Sequence, residues 1–408
     1  MNYFSFGLGV LFGISPVTSY FAPILIVALS VGFSYKKVDR SAILSSFFVM
    51  QYCIVHLILE LFHDDFPFRQ DYLNVLAIIA VSAPFVVTTL RSERLSKIYV
   101  ERGVFAGFSI AFGLLAYQYF ITGECRVSGL TFNTLLPAFL WVPLTFALLA
   151  FRLVARRTNA YDFVGLILTI VAVGAFMGAR SAFYVSIVLS LALILIAAAL
   201  KLRRGFVSLA AALALSLAAV YAIDRCGMSQ RIDSQLRMLN ICLWTACDTQ
   251  VHSDAGGIDL TGAGSKLQKP PVDSDYASAG KAPRDSSVET RGQMWGEGLN
   301  ALQAFGFEWL VGVGFSGEMK ITTTGYQHVH NQFLSWLIST GLVGFLSAFL
   351  LFFGLIAKIK REKRVLIYLA AVGGGLLTDS LMRVPEGLAV FLLILIFVQI
   401  WSGRALDE

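Results

Sequence analysis

Charge is scarce in this 408-residue sequence: Asp, Glu, Lys and Arg together make up 14% of it, against about 25% in a soluble domain. A basic leader is missing too. The first cation is Lys36 and no small-residue cleavage site stands out, so the N-terminus is expected to be retained. The five cysteines include no CxxC pair, which argues against a structural zinc site. The glycine-rich stretch GVGFSG, Gly312 to Gly317, follows no strand and lacks a Lys-Ser/Thr ending, which argues against a nucleotide-binding phosphate loop. The candidate acidic pairs for a metal are HDD at His63 to Asp65 and DSD at Asp273 to Asp275. Neither reads as a metal site, and no metal or other cofactor is expected. No internal repeat is evident, and the middles of the apolar runs carry almost no charge, which argues against a transporter built on midplane ion sites.

Apolar residues supply 57% of the chain and the mean hydropathy is +0.72. Many uninterrupted apolar runs reach the roughly 20 residues that a helix needs to cross a bilayer. The expected fold is therefore all-α and polytopic, with about twelve transmembrane helices: near 3–14, 17–35, 41–62, 72–90, 103–121, 130–150, 163–179, 181–200, 206–223, 327–357, 365–384 and 387–402. The first two are divided only by Ser15 and Pro16, so residues 1–35 read as one helix or two. Three parts follow: an N-terminal bundle over 1–223, a large polar loop over 224–326 and C-terminal helices over 327–408.

The net charge of +6 invites a nucleic-acid reading that its placement refutes. Lys36 to Arg40, Arg91 to Arg102, Arg152 to Arg157, Lys201 to Arg204 and Lys358 to Arg364 recur between alternate apolar runs, whereas the intervening short loops hold only Arg69, Arg126, Arg180 and Arg383. This alternation places the basic loops, and both termini, in the cytoplasm. The large loop then faces the other side. Within it, Ile232, Leu236, Leu239 and Leu243 suggest an amphipathic helix, followed by a linker rich in Gly, Pro, Ser and Ala. Cys226, Cys242 and Cys247 in that loop, with Cys125 in another external turn, lie where an oxidising compartment could pair them or leave them as thiols.

Three features could carry chemistry on the external side. His330, with His328 two residues before it, stands at the mouth of an apolar helix, where a neutral imidazole can take a proton from a hydroxyl; a pair of interfacial histidines capping the helix would look the same. Arg180 sits in a tight hairpin at the bilayer edge, where arginine usually has an anionic partner or reaches for lipid phosphate. Arg291 opens a segment carrying Trp295, Leu299, Leu302 and Phe305 at helical spacing, and its guanidinium fork suits phosphate oxygens as well as a carboxylate such as Glu289 or Glu297.

His330-Asn331, nine residues, then Gly341-Leu342-Val343-Gly344 resembles the His-[Asn/Ser/Gln]-x9-Gly-x-x-Gly signature of bacterial O-antigen ligases. GVGFSG with the Arg291 to Trp295 segment resembles the large periplasmic loop of the wider O-antigen ligase and polymerase superfamily, and Gly178-Ala179-Arg180 its arginine hairpin. The resemblance implies a bundle like that of the GT-C glycosyltransferases in the bacterial inner membrane, with its active site facing the periplasm. It implies a metal-independent, inverting enzyme that completes lipopolysaccharide. The donor would be a polysaccharide on undecaprenyl diphosphate and the acceptor a sugar hydroxyl of the lipid A-core; membrane lipids, and no nucleic acid, are the other partners. His330 would be catalytic, Arg180 and Arg291 would bind the diphosphate, and His328, Asn331, Arg284 and Trp295 would be secondary. Phe345 stands where the signature often has Thr. The alternative within the superfamily is an O-antigen polymerase, which extends the carrier-linked chain.

Overall fold

The computed structural model describes residues 2–63, 69–123, 127–131, 136–154, 156–224, 286–321, 331–358 and 384–404. Outside these fall His328, His330, Arg284, Asp64, Asp65, Asp273, Asp275, the cysteines at 125, 226, 242 and 247, the amphipathic segment at 232–243 and nearly all of the expected helix 365–384. The side chain of Arg291 is outside them as well.

Every regular element among the described residues is helical. The order is α1 (Asn2–Ile14), α2 (Phe21–Ser34), α3 (Arg40–Leu61), α4 (Arg69–Arg91), α5 (Lys97–Tyr117), α6 (Leu136–Val154), α7 (Ala160–Val171), α8 (Arg180–Ala199), α9 (Arg203–Ile223), α10 (Ser286–Gln303), α11 (Glu308–Val311), α12 (Gly314–Ile321), α13 (Gln332–Lys358) and α14 (Pro385–Arg404). Six stretches are long and apolar enough to cross a membrane: α3, α4, α5 with its extension to Thr122, α8, α9 and Gln332–Phe352 of α13. Shorter apolar helices fill Asn2–Val17, Phe21–Ser34, Pro137–Leu153, Ala160–Phe176 and Pro385–Trp401. The chain is a multi-pass membrane protein. Ser15–Val17 form a short 3-10 turn with Pro16 at its start, and α1 and α2 are two helices rather than one.

Hydrocarbon offers apolar side chains as good a home as the bundle does, so close backbone packing and polar contacts must hold the helices together. Gly9 and Gly13 of α1 interleave with Gly103 and Gly107 of α5, and a Cβ at any of the four would collide with backbone of the facing helix. At the basic-loop face, Arg152 of α6 pairs with Glu101 of α5 and, at 2.7 Å, with Asp162 of α7. Trp401 of α14 donates its indole N–H to Glu101 at 3.2 Å. At the opposite face, α5 and α7 each end in a wider π-type turn, Gln118–Thr122 and Ala172–Phe176. The Gln118 amide clasps the backbone of Gly129, donating to its carbonyl at 2.8 Å and accepting from its N–H at 3.0 Å.

Candidate functional site

Arg180 begins α8 directly after the π turn of α7. Gly178, at φ +58°, reverses the chain, the Ala179 N–H donates to the Val173 carbonyl at 3.1 Å, and the Val127 N–H donates to the Phe176 carbonyl at 3.1 Å. Phe176, Met177 and Ala179 are buried, so the hairpin is clamped while the half-buried Arg180 stands at its edge. The tight hairpin expected from the sequence is present.

The second part of the site is assembled around glycines. Gly312 ends α11 at φ +79°, ψ −174°, and Gly341 interrupts α13 at φ +61°, ψ −166°; both lie in a region essentially reserved for glycine. They are in contact. A Cβ on Gly341 would come within 2.5 Å of the Gly312 nitrogen and the Leu310 carbonyl, and one on Gly312 would overlap the Ser339 carbonyl. The Val313 N–H donates to the Ile338 carbonyl at 3.0 Å, and Leu302 and Ile338 form a small separate core with Phe305, Val313, Ile321, Leu334 and Leu337 packed on it. Thus α10, the glycine turn, α12 and the start of α13 form one unit.

Two sequence readings are corrected here. The turn is confined to Gly312–Gly314, where Gly312 and Gly314 have φ of +79° and +71°, and the rest of the glycine-rich stretch lies in the helix α12, Gly314–Ile321. The face of α10 that packs inward carries Met294 and Leu302, whereas Trp295 and Leu299 are 36% and 55% exposed and Phe305 lies beyond the helix end. Arg291 stands inside α10, which starts at Ser286, rather than opening it.

Asn331 explains its place beside the histidine. Its side-chain oxygen accepts the N–H groups of Phe333 and Leu334, both at 3.1 Å, and so caps α13. One helical turn and two turns further on, Ser335 and Ser339 continue a polar stripe. Ser335 donates to the carboxylate of Glu318 on α12 at 2.7 Å, with both residues fully buried. Glu318 escaped the sequence reading, although a lone acid one residue after GVGFSG was its signal. Around it, Phe315 meets Tyr72 of α4 edge to face at 5.3 Å, and His63 lies against Gly314. Arg69 donates to the backbone carbonyl of the buried Glu60 at 2.7 Å. Gly344 lets α13 approach Leu59 of α3, and Gln51 donates to Ser347 at 2.8 Å. The outer ends of α3 and α4, α12 and the start of α13 therefore converge on a basin of buried polar side chains. Among the described residues, no three His, Cys, Asp or Glu side chains gather as a metal site would require.

The residues from 164 to 349 match the family model of the O-antigen ligases. Over these residues the chain is similar to the O-antigen ligases, which supports the resemblance carried by its motifs. The match contains the Arg180 hairpin, position 291, the Gly312 turn, His330 and both signature glycines. Members of this family are membrane enzymes of the glycosyltransferase type that handle lipid-linked O-antigen. No curated protein matches the chain closely enough to count as a relative.

Proposed function

We propose that the protein is an O-antigen ligase of the bacterial inner membrane. It would transfer the polysaccharide from undecaprenyl diphosphate to a sugar hydroxyl of lipid A-core at the periplasmic face. The observation that carries this reading is the Gly312–Gly341 junction: the two most family-like stretches, GVGFSG and the His-Asn-x9-Gly-x-x-Gly signature, pack into one unit.

In this reaction the acceptor oxygen attacks C1 of the donor's first sugar from the face opposite the diphosphate. The new C1–O bond forms with inversion as the bond to the diphosphate breaks. The hydroxyl proton passes to the imidazole of His330, and the diphosphate leaves with the bonding electrons, its charge met by Arg180 and Arg291. The N-terminus of α13, fixed by Asn331, adds partial positive charge on the same side. His328, Arg284 and Trp295 support substrate binding. Two guanidinium groups supply charge comparable to that of a divalent cation, so no metal or nucleotide enters the scheme.

The deciding experiment reconstitutes purified protein with carrier-linked O-antigen and lipid A-core in excess EDTA without ATP. Long chains appearing on the core support ligation. Product that returns only when magnesium or manganese is added overturns the arginine scheme, and longer chains on the carrier with unmodified core assign polymerase activity instead. Phe345, half-buried where Thr is common in the signature, is the feature that keeps the polymerase in view.

A further inference from the structure

A cavity of about 880 Å³ opens at the basic-loop face between α5, α6 and α7, away from the basin described above. Its wall along α5 runs from Lys97 to Ser109, a depth of about 18 Å at 1.5 Å per residue. Chemistry changes along that depth. The mouth carries Lys97 and Arg102 from the first turns of α5, Arg152 from the end of α6 and Arg157 from the connection between α6 and α7. Deeper, the wall is Phe105, Ala106, Val164 and Leu168, and the one hydroxyl there, on Ser109, donates to its own helix at the Phe105 carbonyl. Gly165 makes room for the Phe105 ring, which lies where a Cβ would be.

The acids near the mouth are committed inward. Glu101 and Asp162 both pair with Arg152, Glu101 also accepts from Trp401, and Asp162 accepts the Asn159 N–H at 2.7 Å in the capping box that starts α7. Among the described residues that line it or pair with its rim, the mouth therefore carries four cations and two carboxylates. A cationic rim above a deep apolar wall fits an amphiphile with an anionic head.

We propose that this groove is a binding site for an anionic phospholipid of the adjacent leaflet, its phosphate at Lys97, Arg102 and Arg157 and an acyl chain along Phe105, Ala106 and Leu168. The charge gradient along the wall selects this occupant over a soluble phosphate, which would leave the apolar depth unfilled, and over a neutral lipid, which brings no net charge to the cationic rim. The site stands on the membrane fold alone and is independent of the ligase reading.

The test uses the full-length protein in mild detergent, titrated with dioleoylphosphatidylglycerol, dioleoylphosphatidylcholine or inorganic phosphate. Bound lipid is read by native mass spectrometry and the unfolding midpoint by fluorescence. Phosphatidylglycerol alone should be retained and raise the midpoint. The triple variant Lys97→Gln, Arg102→Gln, Arg157→Gln should lose retention about tenfold or more, whereas Lys36→Gln, Lys37→Gln, Arg40→Gln, which removes equal charge from the same face, should keep it. Ala106→Phe, which narrows the apolar wall without touching charge, should also weaken retention. Equal loss in both triple variants, stabilisation by phosphate as large as by lipid, or preferential retention of undecaprenyl phosphate from mixed micelles would overturn the assignment.

Discussion

Gly312 and Gly341 occupy the same glycine-only region of backbone space and pack together there: a Cβ on Gly341 would run into the Gly312 nitrogen, and one on Gly312 would run into the Ser339 carbonyl two residues before Gly341. One residue ends α11 and the other breaks α13. Their contact fastens the external helices to the membrane helix that follows the histidine motif.

Gly341→Ala should therefore undo the junction. The unfavourable dihedrals alone cost on the order of 1–3 kcal/mol, and the added methyl also meets the Gly312 nitrogen and Leu310 carbonyl at 2.5 Å. Expected are a lower unfolding midpoint in detergent and loss of transfer. Gly113→Ala, on α5 with open space around it, is the control that should leave both unchanged.

Glu318 and Ser335 form a buried hydrogen bond between α12 and α13. A hydrogen bond to a charged group contributes roughly 1.5–3 kcal/mol. Ser335→Ala should destabilise by about that amount, and Glu318→Leu by more, since Glu318 anchors α12 from within. Denaturation of the purified variants measures both; an unchanged Ser335→Ala protein would mean that the pair contributes nothing net.

His330→Ala should reduce transfer about 100-fold to 10,000-fold, the usual effect of losing a general base, while insertion and expression stay normal. His328→Ala should be milder. Near-normal product from His330→Ala in the reconstituted assay would remove this imidazole from the mechanism.

Arg180→Lys and Arg291→Lys keep charge but lose the two-pronged donor geometry that matches a diphosphate. Both should remain strongly impaired, with the defect in donor use rather than in acceptor use. Full activity of both variants would reduce the arginines to general electrostatics.

Helix positions were legible because apolar runs in a membrane protein are bounded by charge: Arg40, Arg69, Arg180 and Arg203 each begin a helix close to its expected start, whereas the helix expected from 103 already begins at Lys97 and takes in the charged turn before the apolar run. The hairpin before Arg180 followed from the short distance between two such runs. The break at Gly341 was not legible, because a glycine within Ser-Thr-Gly-Leu-Val looks like any small residue in a membrane helix until Gly312, distant in sequence, is placed against it. In α10 the apolar residues at helical spacing do not share one environment: Leu302 is buried, whereas Trp295 and Leu299 are exposed. Glu318 was hidden because the value of a buried acid depends on its partner, and Ser335 looked like an ordinary helix residue.

The short helix α2 has 14 residues, about 21 Å of rise, against a hydrocarbon thickness of about 30 Å. Phe21 and Ile24 on it face outward at 61% and 60% exposure, and Lys36 and Lys37 follow its end, so lipid meets this edge directly. A span of that length matches the hydrocarbon only if the bilayer thins beside it or Lys36 and Lys37 reach outward to the membrane surface. At this edge the elasticity of lipid and the length of two lysine side chains, rather than packing within the bundle, make up the path between the two surfaces.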